Sequence, residues 1–216
     1  MQQSQPFNQL FTIALSRPDQ AGLGALTQEE LLEYDALLYE GRRRDWLAGR
    51  LAAKRAVAAR FGIPRLGSVR LDSRLQQAPR ALTEDAGTWY PLPANVSVSH
   101  ACGWGVAAIA DRACRIGVDI DRRDGIDREH ARYFLTSREA RSLGSGDAAL
   151  FWVQKEAAWK AFGLSDGDAF TDLELDVGDD SIAHGAVVHG NRVAIDAAVW
   201  SPARGLIAAA VWTEAT

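Results

Sequence analysis

Apolar and polar positions alternate along this chain in two periods, and the switches between the periods divide it into elements. From Leu26 to Leu38 the apolar residues recur at helical spacing, with Thr27 placed to cap the first turn and Glu30 at the capping-box position. A longer helical pattern runs from about Arg42 to Phe61 and meets Gly62-Ile63-Pro64, a helix exit. Ser68 to Leu75 alternates as a strand, and the polar stretch that follows, to Pro93, reads as a loop. Strands are predicted at residues 95–99, 104–110 and 116–121, then a loop rich in Asp and Arg (Asp121–Arg128) and a short helix from about Ser137. A helix predicted from about Asp147 to Phe162 stops at Gly163. Beyond it Leu173–Val177, Ala183–His189, Val193–Val199 and Leu206–Trp212 alternate or run apolar, which predicts an antiparallel C-terminal sheet.

Two of these elements carry the chemistry. In Ile116-Gly117-Val118-Asp119-Ile120-Asp121 a strand puts Ile116, Val118 and Ile120 on one face and Gly117, Asp119 and Asp121 on the other. The two carboxylates are then roughly 7 Å apart, close enough to share a cation. In Phe151-Trp152-Val153-Gln154-Lys155-Glu156-Ala157-Ala158-Trp159-Lys160, helical spacing places Trp152, Glu156 and Lys160 on one side. A third carboxylate and a lysine can therefore meet the aspartates. Such a set suits Mg²⁺ with positions left for phosphate oxygens, and suits zinc poorly, because no Cys or His shares the spacing. Taken singly, a D-x-D commonly marks a strand end and a K-E pair a solvated helix face; their combination is much more specific.

The combination resembles the 4′-phosphopantetheinyl transferases, whose signature is G-[IV]-D-[IV]-[ED] followed by W-x-x-K-E-[AS]-x-x-K, and this chain's length resembles their longer, surfactin-synthetase-activator type. Asn95-Val96-Ser97-Val98-Ser99-His100 is similar to that family's strand ending in Ser-His, and Trp104–Ala110 to the next strand. Arg44–Lys54 is similar to its arginine-rich N-terminal helix, and Tyr133–Glu139 to the segment between the two metal motifs. The likeness covers roughly residues 10–178. One departure stands out: where the family has G-K-P, this chain reads Gln76-Gln77-Ala78-Pro79-Arg80, so Ala78 replaces the lysine and Arg74 or Arg80 is expected to supply the charge.

The resemblance implies an α+β fold of two similar half-domains, each a helix packed on a small, mainly antiparallel sheet, with the active site between them. A faint internal repeat agrees: Trp46–Lys54 aligns without gaps on Trp152–Lys160, with Trp, Ala and Lys matching and Arg50 against Glu156. The halves are expected at residues 1–112 and 113–216 in a monomer that is a pseudo-dimer within one chain.

Charge sharpens this picture. The net charge is −4 at pH 7, but residues 1–112 sum to +2 and residues 113–216 to −6. Between Arg42 and Arg60 lie seven cations and a single acid, Asp45. That stretch is either a solvated helix face or a phosphate-binding wall, and the resemblance favours the wall. The negative total and the lack of recurring basic–aromatic interleaving argue against nucleic acid. Hydrophobic residues make up 47% and charged ones 24%, enough for a sizeable core. The two cysteines, Cys102 and Cys114, lack metal spacing and make a disulfide framework improbable. No apolar run approaches the roughly 20 residues of a membrane span. Met1–Asn8 lacks a signal-peptide layout, so a cytoplasmic location is expected.

By the resemblance, Asp119, Asp121 and Glu156 are the Mg²⁺ ligands, and Glu156, Lys160 and His100 the catalytic residues. Arg44, Arg50, Arg74, Ser99, His100, Lys155 and Lys160 are the coenzyme A-binding set, with Lys155 alternatively facing solvent. Glu139 fits a helix cap better than a base, and Trp152 and Trp159 fit the core. The implied reaction moves phosphopantetheine from coenzyme A, a substrate, to a serine of an apo acyl or peptidyl carrier protein of fatty acid, polyketide or nonribosomal peptide biosynthesis. It releases 3′,5′-ADP. Two alternatives share the residues: a Mg²⁺-dependent pyrophosphate hydrolase, and a homologue that binds coenzyme A without reacting.

Overall fold

The computed structural model describes residues 10–17, 20–73, 78–144, 146–165 and 167–214. Contacts divide the chain into two compact units that meet in sequence at Cys114 and Arg115. The first holds β1 (Phe11–Ser16), α1 (Gln28–Ala36), α2 (Glu40–Phe61), β2 (Val69–Asp72), β3 (Arg80–Asp85), β4 (Thr88–Pro91), β5 (Ala94–Ala101) and β6 (Trp104–Asp111). Antiparallel pairing orders these strands as β1-β6-β5 and β2-β3-β4. Helix α2 lies on the first sheet, where Ala52, Ala53, Ala56 and Val57 pack with Val96, Ala107 and Ile109. Its small residues let the backbones come close: a Cβ on Gly105 of β6 would sit 2.2 Å from the Ala48 carbonyl oxygen.

The second unit holds β7 (Cys114–Arg122), α3 (Arg128–Ala131), α4 (Ser137–Leu143), α5 (Ala148–Phe162) and the strands β8 (Leu173–Val177), β9 (Ala183–Val188), β10 (Asn191–Ala194), β11 (Asp196–Trp200) and β12 (Leu206–Glu214). Its sheets run β11-β12-β7 and β10-β9-β8, with α5 packed on β12. Setting α3 aside, the order strand, two helices, three-strand sheet, hairpin is that of the first unit. The sheets repeat too, β7-β12-β11 answering β1-β6-β5 and β8-β9-β10 answering β2-β3-β4. The fold is α+β, in two similar halves.

The repeat extends to a buried polar clamp. Thr27 caps α1 through a capping box with Glu30, and Glu30 also accepts from the Leu71 amide of β2 and pairs with Lys54 of α2 at 2.6 Å. Thr136 caps α4 through the same box with Glu139, which accepts from the Leu175 amide of β8 and pairs with Lys155 of α5 at 2.5 Å. Both glutamates and both lysines are enclosed. Each clamp ties a short helix, a long helix and a strand through one carboxylate, satisfying four otherwise costly buried groups. By these partners Lys54 corresponds to Lys155, whereas the gapless sequence alignment sets it against Lys160.

Several expectations change. The loop expected to Pro93 contains the β3–β4 hairpin, turned by Ala86 (φ 48°) and Gly87 (φ 81°) in the left-handed pair a two-residue hairpin requires. Its strands are short and mostly exposed, so they carry little apolar alternation. β1 lies in a stretch to which the pattern assigns no element. The run Val193–Val199 divides at Ile195, sending β10 and β11 to different sheets, so the C-terminal strands make two sheets and not one. Both expected helix stops hold, with Gly62 and Gly163 in the left-handed region at φ 66° and 67°. Among the described residues no helix is long and apolar enough to cross a membrane.

Candidate active site

In the second unit, the face of β7 carrying Gly117, Asp119 and Asp121 lies against α5. Gly117 makes that possible, since a Cβ there would fall 1.8 Å from the Ala157 carbonyl oxygen. One residue pair along, Asp119 is buried and its Oδ1 accepts from Lys160 Nζ at 2.7 Å. The same ammonium donates to the Val118 carbonyl at 3.3 Å and lies 3.9 Å from Glu156 Oε2, its i−4 neighbour. Asp121 Oδ1 accepts from the Arg122 amide at 2.7 Å, and the Trp152 indole lies beside its carboxylate. The structure thus brings Asp119, Asp121, Glu156 and Lys160 together.

Their electrostatics are those of a crowded anionic site. Burial pushes the Glu156 carboxyl above its usual range; Lys160 opposes this, and the charges of Asp119 and Asp121 add to it. Burial likewise raises Asp121, with Asp119 reinforcing and the Arg122 amide, Trp152 and Lys160 opposing. Asp119, Asp121 and Glu156 are hard oxygen donors of the kind that Mg²⁺ takes, although their oxygens do not all lie within 4.8 Å of one another.

Trp152 is more than core. It stacks on Phe170 at 5.4 Å between ring centroids and meets Phe134 edge-on at 4.8 Å, while Phe170 stacks on Trp159 at 4.5 Å. This aromatic packing fixes the indole beside Asp121, on the side of the helix that the spacing gives it. Lys155 requires a correction. It is neither a coenzyme contact on an open surface nor solvated, because its side chain is fully enclosed and bound to Glu139. Burial pulls its ammonium below the usual value and Glu139 opposes that. Glu139 is correspondingly committed as cap and counter-ion.

The first unit holds a cavity of about 450 Å³ lined by residues that include Glu33, Arg42, Trp46, Arg50, Pro79 and His100. His100 is set there by Gly49, where an added Cβ would lie 2.9 Å from the imidazole Cδ2. Arg50, only 6% exposed, lies over the Trp46 ring at 4.4 Å and donates to the Leu71 carbonyl at 2.6 Å and to Glu33 at 2.9 Å. Of the expected coenzyme set, Arg50 and His100 share this cavity. Ser99 does not: Val98 and His100 line it, so alternation along β5 turns Ser99 to the other face. Arg44 lies instead over the Cys102–Gly103 turn, its Nε 3.0 Å from where a Gly103 Cβ would be. Arg42, two residues earlier, lines the cavity in its place. Arg74 lies outside the described residues.

Elsewhere in the second unit, Asp168, Asp172 and His189 bring one potential ligand atom each within 4.8 Å of one another, and His189 Nε2 is 3.5 Å from Asp168. Two of these side chains are exposed, as polar clusters at hairpin tips usually are.

No protein-family model matches the chain, and no curated protein matches it. Among solved structures, the holo-[acyl-carrier-protein] synthase of Thermotoga maritima is similar to it at 19% identity, over 59% of this chain and 74% of that one, with a TM-score of 0.35.

Proposed function

We propose that the chain transfers the 4′-phosphopantetheine group of coenzyme A to a serine hydroxyl of an apo acyl or peptidyl carrier protein and releases 3′,5′-ADP. The observation that carries this reading is the joining of Asp119, Asp121 and Glu156 around Lys160 on facing surfaces of β7 and α5. In the reaction the serine oxygen forms a bond to the phosphorus that bears the pantetheine, and the bond from that phosphorus to the bridging pyrophosphate oxygen breaks. The electron pair leaves on the 3′,5′-ADP phosphate. Catalysis of this kind is positioning and charge neutralisation.

Asp119, Asp121 and Glu156 would hold Mg²⁺. When bound, that ion offsets the charge of the pyrophosphate and of the departing phosphate. Lys160 supplies a further cation to the same oxygens, and its tie to Asp119 fixes where its ammonium points. Glu156 is the carboxylate assigned to take the serine proton, through its open oxygen or an intervening water. The cavity of the first unit, with Arg42, Arg50 and His100, would take the 3′-phosphate of the coenzyme.

The test is mass spectrometry of a panel of apo carrier proteins incubated with coenzyme A, Mg²⁺ and this protein. A gain of the phosphopantetheine mass on one carrier supports the reading and identifies the substrate. Release of 3′,5′-ADP with no carrier modified would assign the same carboxylates to pyrophosphate hydrolysis.

A further inference from the structure

Arg50 is the buried cation of the first unit's cavity, and it does not wait there unpaired. One edge of its guanidinium is committed to structure: Nη1 donates to the Leu71 carbonyl at 2.6 Å and lies 3.7 Å from Glu30. The plane rests on Trp46. Glu30 cannot neutralise Arg50 fully, since its oxygens already serve Lys54, the Thr27 amide and the Leu71 amide. The other edge, Nη2, donates to Glu33 at 2.9 Å. Glu33 differs from every other partner of Arg50. Of the two carboxylates that α1 brings to Arg50, it alone lines the cavity, and its side chain is 48% exposed against 1% for Glu30. Burial pulls the Arg50 guanidinium below its usual value, and Glu30, Glu33 and Asp72 oppose that; a guanidinium carries its charge throughout the neutral range.

We propose that Glu33 is a built-in counter-ion that an incoming phosphate displaces from Nη2 of Arg50, and that it thereby sets how tightly the cavity takes phosphorylated ligands. Arg50 and Glu33 both line the cavity, and a phosphate presents the same two-oxygen geometry as a carboxylate. Exchange of one anion for the other leaves the charge count of Arg50, Lys54 and Glu30 unchanged. Glu33 itself, half exposed on a helix surface, can swing to water at little cost. What the exchange does cost is the Arg50–Glu33 bond and the repulsion between the phosphate and a carboxylate still close by. Glu33 is thus a filter as well as a placeholder: only a ligand with enough negative charge at that point wins the guanidinium. The proposal rests on the coenzyme A reading for the ligand's identity, which makes the 3′-phosphate the competing group. The exchange itself needs only a phosphate.

Calorimetric titration of the full chain with 3′,5′-ADP, and separately with inorganic phosphate, tests this. Glu33→Gln keeps the side-chain shape without the charge, and Glu33→Ala removes the competitor altogether. Both should bind 3′,5′-ADP about three- to tenfold more tightly than the unaltered protein, as loss of a partly screened like charge implies. Thermal melting within a few degrees of normal would show both variants folded. Arg50→Gln should weaken binding in every background and erase the gain from Glu33→Gln. Unchanged or weaker binding in both Glu33 variants overturns the proposal, whatever the carrier assay shows. Tighter binding in both, with no carrier protein modified, upholds the exchange and removes the transferase reading alone.

Discussion

Glu156 is assigned two tasks, holding the cation and taking the serine proton, and a single substitution separates them. Glu156→Gln preserves the side-chain length and one coordinating oxygen but accepts no proton near neutral pH. Coenzyme A and Mg²⁺ should bind within about tenfold of normal while turnover falls roughly 10²–10⁴-fold, the range for losing a general base. Equilibrium binding and single-turnover rates read the two separately; turnover restored at high Mg²⁺ would leave Glu156 a ligand only. The carboxylates were legible in the sequence because strand alternation and helical spacing are enough to aim Asp119, Asp121 and Glu156 at one another. Helical spacing likewise placed Lys160, but not Lys155. Lys155 and Lys160 are the same residue type in one motif, and what distinguishes them is Glu139, sixteen residues before Lys155 and brought to it only by the packing of α4 against the helix. Likewise nothing in the spacing of Arg42 and Arg44 says which of them turns to the cavity; that is set by the rotation of α2, which Gly49 fixes against β5 and Gly105 of β6 fixes against Ala48.

At the scale of elements, close helix-on-strand approach is the feature on which the site depends. Gly117→Ala would drive a methyl group against the Ala157 carbonyl and the Ala161 amide, 1.8 and 2.7 Å away, and neither is the movable end of a side chain. Helix α5 must shift, carrying Glu156 and Lys160 away from β7. The variant should therefore lose Mg²⁺-dependent turnover and melt well below the unaltered protein, overpacking of this kind costing about 1–3 kcal/mol or more. Full activity with a normal melting temperature would show that the approach is looser than it stands here. The helices and their ends were readable because caps and left-handed glycines are local signals, as Thr27, Glu30, Gly62 and Gly163 show. The β3–β4 hairpin was hidden because its strands lie mostly exposed and bury little beyond Ala81, so alternation is weak, and the turn signal Ala86-Gly87 is weaker than Asn-Gly.

At the scale of the whole molecule, the duplication shows in partners more than in letters. Thr27, Glu30, Lys54 and Leu71 reappear as Thr136, Glu139, Lys155 and Leu175, although the intervals between them differ enough that a gapless alignment pairs Lys54 with the wrong lysine. Each clamp should then secure its own unit. Glu139→Gln leaves Lys155 buried and unpaired, which costs about 3–5 kcal/mol, and Glu30→Gln does the same to Lys54. Hydrogen exchange resolves where the loss falls. The Leu175 amide should lose protection in Glu139→Gln while Leu71 keeps it, and the pattern should reverse in Glu30→Gln. Equal loss at both amides in either variant would mean that the two halves open as one and that the clamps are not separate devices. Replacing the whole pair, Glu139→Leu with Lys155→Met, should recover much of the stability, because the cost lies in stranding a charge and apolar side chains strand none. The Leu175 and Thr136 amides lose their acceptor with Glu139, so recovery should stop short by about 1–3 kcal/mol for each.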